Sequence, residues 1–109
     1  MSTAKPFDAR TAFQRMRERT REAREHEAGV LFSANNIDAV LSAAATKGQS
    51  AAIFAPSQPM DLSDTDTAKA MVALFHKAGF SAEWVTRQRP DEEPARYLRV
   101  SWGNEAKPR

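Results

Sequence analysis

Glycine is scarce in this chain, and its placement divides the sequence more sharply than any other residue does. The four glycines stand at Gly29, Gly48, Gly79 and Gly103. The first three each follow a run whose apolar residues recur at helical spacing, and a glycine just past such a run is a helix stop. The chain is therefore assembled from short elements, and its 109 residues suit one small domain.

The first helix is expected to begin between Lys5 and Asp8, with Pro6 in the first turn and Asp8 as a cap, and to end at Gly29. The second follows from "SANNIDAVLSAAATKG", where Ser33 or Asn35 caps, Ile37, Val40, Leu41 and Ala44 share a face, and Gly48 stops the run. "SAAIFAP", residues 50–56, reads as a brief strand between Gly48 and Pro56. A third helix is expected over Asp64–Ala78, with Ser63 and Asp66 spaced as a capping box that uses aspartate in place of glutamate. Ala68, Met71, Val72, Phe75 and Ala78 line one side of it, and Phe80 beyond Gly79 is placed for the apolar contact of a Schellman cap.

"SAEWVTR" and "ARYLRVSW" alternate on either side of the polar "QRPDEEP", the pattern of two antiparallel strands and a loop. The expected fold class is thus α+β: a long charged N-terminal helix, then α-β-α-β-β. A right-handed crossover through the third helix sets strand one parallel to strand two in a small mixed sheet with helices on one face. The division is residues 1–29 as an arginine- and glutamate-rich helix, 30–103 as the α+β domain, and 104–109 as a polar tail.

The segment "ALFHKAGFSAEWVTRQRPDEEPARYLRVSW" resembles the C-terminal part of small phage-encoded proteins: a helix ending in Gly-Phe or Gly-Tyr, a strand, a variable turn, and a strand ending in Ile-Ser-Trp. "AVLSAAATKGQSAAIF" resembles their preceding helix, stop and short strand. The likeness covers residues 37–102 and leaves the arginine-rich helix outside. Val100 replaces the usual isoleucine, and the hairpin loop is longer and more acidic. The resemblance implies viral origin, a place in the host cytoplasm or virion, and a structural or interaction role without catalytic residues to transfer.

Composition restricts function more than it names one. Sixteen basic groups, eleven of them arginine, face 14 carboxylates, so the net charge of +2 argues only weakly for an anionic partner. Cysteine is absent, which excludes disulfides, thiolate nucleophiles and cysteine zinc sites and suits a reducing compartment. No apolar run approaches the roughly 20 residues that span a bilayer, and "MSTAKPFDAR" lacks a secretory signal's apolar segment, so no membrane partner is expected.

The first helix carries the interaction signal. Arg10, Arg17, Arg21 and Arg24 fall on one stripe at steps of seven, four and three, suited to a phosphate backbone or an acidic protein surface. The plainer reading is a solvated stripe with local pairs: Arg15 with Glu18, Arg19 with Glu22, Arg21 with Glu25, Arg24 with Glu27. Ala9, Phe13, Met16, Thr20, Ala23, Glu27 and Val30 form a second, heptad-spaced seam, weakened by Thr20 and Glu27 at core positions. Either Phe13 and Met16 dock on the chain's own sheet, or they anchor a partner. Arginines early and glutamates late oppose the helix macrodipole, so the helix is not tuned to stand alone.

Elsewhere the plain readings prevail. Trp84, Tyr97 and Trp102 lie near Arg87, Arg89, Arg96 and Arg99, as in sheet-face nucleic-acid readers, but alternation puts Trp102 with Leu98 and Val100 on the core face. Asp61, Asp64 and Asp66 lack the glycine and distal glutamate of a calcium loop and read as capping residues. His26 and His76 have no aligned second ligand at a familiar metal spacing. No nucleophile beside a base, phosphate-binding glycine loop or framed acid pair stands out, so neither enzyme activity nor cofactor is expected. The expectation is a phage virion component or assembly factor, contacting itself or other phage structural proteins through Phe13 and Met16, rimmed by Arg10, Arg17, Arg21 and Arg24. The alternatives are an inhibitor or adaptor on an acidic host protein or nucleoprotein, and direct nucleic-acid binding.

Overall fold

The computed structural model describes residues 6–103. Its elements are α1 (Ala9–Leu31), α2 (Ala34–Thr46), β1 (Ala51–Phe54), α3 (Asp66–Ala78), β2 (Ser81–Arg87) and β3 (Ala95–Ser101), an α+β arrangement in the expected order. Lys5 and the tail at 104–109 lie outside the described residues.

Asp8 caps α1 by accepting from the N–H groups of Arg10 (3.1 Å) and Thr11 (3.4 Å), while Pro6 stands before the cap and not in the first turn. Gly29 does not end this helix. A Cβ there would meet nothing within 4 Å, and the chain stays helical so that Leu31 and Phe32 reach the core. The stop is made downstream, where Asn36 Nδ2 donates to the Leu31 carbonyl (2.6 Å) and Ser33 caps α2 by accepting from the Asn36 N–H (3.3 Å). Gly48 and Gly79 do close their helices, at φ +84° and +105°, in the left-handed region that glycine enters without a Cβ clash. At Gly79 the Phe80 N–H donates to the Phe75 carbonyl (2.9 Å), and the two rings meet edge-on at 5.5 Å, completing the expected Schellman cap.

The sheet order is β1-β3-β2, with β3 antiparallel to both neighbours. β1 and β2 point the same way, as expected, but the sheet is antiparallel and not mixed, because β3 lies between them. Ala52 pairs with Val100 and Phe54 with Leu98 on one side, while Ala82 and Trp84 face the same two residues on the other. These side chains form the covered face. Phe54, at the end of the edge strand β1, reaches over that face, its ring 5.7 Å from Phe32 at the end of α1 and 6.1 Å from Phe75 of α3. Leu62, Ala68, Leu98 and Val100 are fully buried around it, with Ile37, Val40 and Leu41 of α2 packed alongside. Trp102 joins this face, its ring edge-on to Phe80 at 6.2 Å.

The capping box expected at Ser63 is not formed. Thr65 is the cap of α3, donating from Oγ1 to the Leu62 carbonyl (2.7 Å) and accepting from the Ala68 N–H (3.1 Å). Ser63 turns back on Asp61 instead, donating from its N–H (2.9 Å) and its hydroxyl (2.6 Å) to one carboxylate oxygen. The buried Leu62 fixes this loop, and only Thr65 stands where its hydroxyl reaches the first turn.

Candidate interaction surface on the first helix

The two halves of α1 meet different surroundings. From Arg24 onward it lies on the domain, with Ala28 fully buried. Residues 13–23 are exposed throughout, and the helix runs out as an arm. At 1.5 Å per residue the stretch from Ala9 to Ala23 is about 22 Å long. The molecule accordingly measures 72 × 30 × 24 Å, with a radius of gyration of 18.4 Å. A compact chain of this length has about 13 Å.

Glutamates fix the arm's root. Glu25 faces the N-terminus of α3 and accepts from the Asp66 N–H (2.6 Å), the Thr67 N–H (3.4 Å) and the Thr67 hydroxyl (3.1 Å). The Asp66 N–H bond is the main reason its pKa lies below the ordinary value; burial opposes it, and the Thr67 bonds and the charge of Arg21 assist. Glu27 accepts from the Ser57 N–H (2.7 Å) and ties α1 to the segment after β1. The local pairs expected for these residues, Arg21 with Glu25 and Arg24 with Glu27, are not formed, and neither are Arg15 with Glu18 or Arg19 with Glu22. Among the described residues the one ion pair within 4.0 Å joins Arg96 to Asp61, at 3.8 Å and partly exposed. Backbone N–H groups that no helix or strand satisfies compete better for a carboxylate than a mobile guanidinium on the same helix.

Phe13 and Met16 do not dock on the sheet: they are 59% and 47% exposed. Phe13 touches Arg17, whose guanidinium carbon lies 5.7 Å from the ring centre. Arg10, Arg17 and Arg21 make no ion pair among the described residues, whereas Arg24 at the root lies near enough to Asp61 to act on its charge. Burial raises the Asp61 pKa, but the two Ser63 hydrogen bonds and the charges of Arg96 and Arg24 outweigh it and hold the carboxyl below its ordinary range.

Where arm and domain diverge they bound a groove of about 620 Å³, with Phe13, Met16, Arg17, Arg21 and Arg24 on the helix side and Asp61, Asp64 and Thr65 opposite. Phe13, Met16 and Thr20 of the seam and Arg17, Arg21 and Arg24 of the stripe thus come together and face the acidic loop at Asp61 and Asp64. The other aromatic and arginine grouping is split. Trp84 packs against the core, while Tyr97 lies on the opposite face, where Ile53 and Arg99 are exposed. Arg87, Arg89, Arg96 and Tyr97 line a smaller depression of about 210 Å³ beside the hairpin loop. His76 is exposed, its Nε2 3.2 Å from the Ala82 carbonyl oxygen. No single helix among the described residues is long and apolar enough to cross a membrane.

Compared with protein-family models, curated proteins and solved structures, the chain matches none.

Proposed function

We propose that this is a non-enzymatic phage protein, a minor virion component or assembly factor, whose arm mediates self-association or docking on a larger assembly. The observation that carries the reading is the exposed Phe13 and Met16 pair on a helix whose root is held by Glu25, Glu27 and Ala28. A helix with so narrow an apolar stripe is marginal by itself, and burial of the stripe against a partner supplies what the monomer leaves unused. The resemblance of residues 37–102 to small phage-encoded proteins supports the viral setting.

The test is the solution mass of the full-length protein, by light scattering at low and high salt, beside Phe13→Asp with Met16→Asp. An oligomer that becomes monomeric in the double variant, with its circular dichroism retained, is expected, since neither side chain belongs to the core. An unchanged mass refutes the anchor assignment. Truncation at Val30 is a poorer probe because it also removes Glu25, Glu27 and Ala28.

A second reading is an inhibitor or adaptor that grips an acidic host protein or nucleoprotein, favoured by the absence of ion pairs at Arg10, Arg17 and Arg21 among the described residues. Replacing Arg10, Arg17, Arg21 and Arg24 by glutamine abolishes binding in that case, and added salt weakens it. Direct nucleic-acid binding stands third, since the groove beside the stripe is walled by carboxylates.

A further inference from the structure

The groove at the arm's root restricts what fills it. Its occupant must cover Phe13 and Met16, bring carboxylates to the arginine wall, and bring cations to the loop opposite. Asp61 is already engaged by Ser63 and Arg96, whereas the exposed Asp64 side chain has no hydrogen bond or ion pair among the described residues. A nucleic acid satisfies the arginines but sets phosphates against Asp61 and Asp64. A purely acidic peptide fails for the same reason.

The arm itself has the required chemistry. Residues 9–23 hold five arginines and two glutamates, net +3, against three aspartates in residues 61–66. Glu18 borders the groove on the side of the arginine stripe away from the seam, and neither it nor Glu22 makes an ion pair among the described residues. We infer that the groove receives the arm of a second copy of this chain, the two arms being exchanged about a two-fold axis so that each copy gives one arm and one groove. This deepens the proposed self-association and rests on it.

Area favours this arrangement over arms that touch only each other. A helix about 22 Å long and about 10 Å wide, covered over half its circumference, loses about 350 Å². A standard stable interface takes about 800 Å² per partner. Arm against arm therefore falls short, and seating each arm between the other copy's helix and its Asp61–Thr65 loop adds the missing surface. The two-fold lets one self-complementary patch serve both copies.

The experiment uses the full-length chain. Sedimentation equilibrium gives the dimer constant of the native protein and of Asp64→Arg and Asp64→Glu. Because the sequence has no cysteine, Gln14→Cys and Asp64→Cys chains, mixed and treated with a short bis-maleimide, report only contacts between copies. Asp64→Arg is expected to weaken dimerisation about tenfold or more, Asp64→Glu to retain it, and the mixture to yield a Gln14-to-Asp64 cross-link. A dimer indifferent to Asp64→Arg that cross-links only through Gln14→Cys with itself overturns arm exchange and leaves self-association standing. A monomer at millimolar concentration overturns both, and a full-length protein that dimerises only on added nucleic acid overturns the choice of occupant.

Discussion

Phe54 and Ile53 are neighbours on one short strand, and their truncation to alanine tests whether the sheet is covered on one face only. Phe54 is 1% exposed and touches rings from α1 and α3. Phe54→Ala removes a side chain of the kind that costs about 3 to 5 kcal/mol when its cavity cannot collapse. Two flanking rings held by different elements make collapse difficult, so about 4 kcal/mol is expected. Ile53 points the other way and is 47% exposed. Its truncation forfeits about half of a burial that is itself worth about 1.5 to 3 kcal/mol, hence about 1 kcal/mol. For a domain of this size, about 4 to 8 °C in Tm accompanies each kcal/mol, so Phe54→Ala melts about 16 to 32 °C lower and Ile53→Ala less than 10 °C lower, by about that scale. Calorimetry, with urea titration to confirm an unchanged m-value, measures both. Equal losses at the two positions refute the one-sided sheet, because they require cover over Ile53.

Glu25→Gln is expected to destabilise the fold at neutral pH and to flatten its acid dependence. The pKa of Glu25 is depressed below the ordinary value of 4.5 in the folded state, so its contribution is complete above 4.5 and is lost as pH falls through the lower folded value. Melting curves from pH 7 to pH 2 test this, and a variant with the native slope contradicts the α3 contact. Thr65→Ala costs about 1 to 2 kcal/mol as a lost helix cap, and Ser63→Ala less, by urea unfolding. The reverse order would restore the Ser63 capping box. Gly29→Ala stabilises by about 0.5 to 1 kcal/mol, since the site is helical and open, whereas Gly79→Ala destabilises at φ +105°. Thermal melts that reverse these signs refute the two backbone assignments.

The local rules read the chain well where one element decides the outcome. Ser33, Gly48, Gly79 and the alternation of β2 and β3 are such places, and each is found as expected. They fail where a distant element intervenes. Gly29 looks like a stop because glycine usually is one, yet Leu31 and Phe32 are needed in the core, and their burial outweighs glycine's modest helix penalty. The sheet order escapes periodicity for a similar reason: alternation says which residues share a face, not which strand lies in the middle. Glu25 and Glu27 are invisible as fastening residues because their partners are backbone N–H groups at 57, 66 and 67. The legible signal was their unfavourable position late in the helix, which marked a conflict without naming its resolution.

That conflict explains how one helix serves two ends. Carboxylates near the C-terminus of α1 are disfavoured by its own dipole, but at Glu25 the same charge meets the positive N-terminus of α3, where it is favoured. The second helix thus offsets the strain in the first, and the geometry of the contact fixes the angle at which the arm departs. With Glu27 holding a second point on the segment after β1, the arm does not swing on a single pivot. A preset arm loses less orientational freedom on docking than a hinged one, which favours the proposed use of the narrow Phe13 and Met16 seam over a flexible tail of the same composition. On the proposed self-association, Glu25→Gln is therefore expected to weaken dimerisation in sedimentation equilibrium even though its carboxylate points into the chain's own fold.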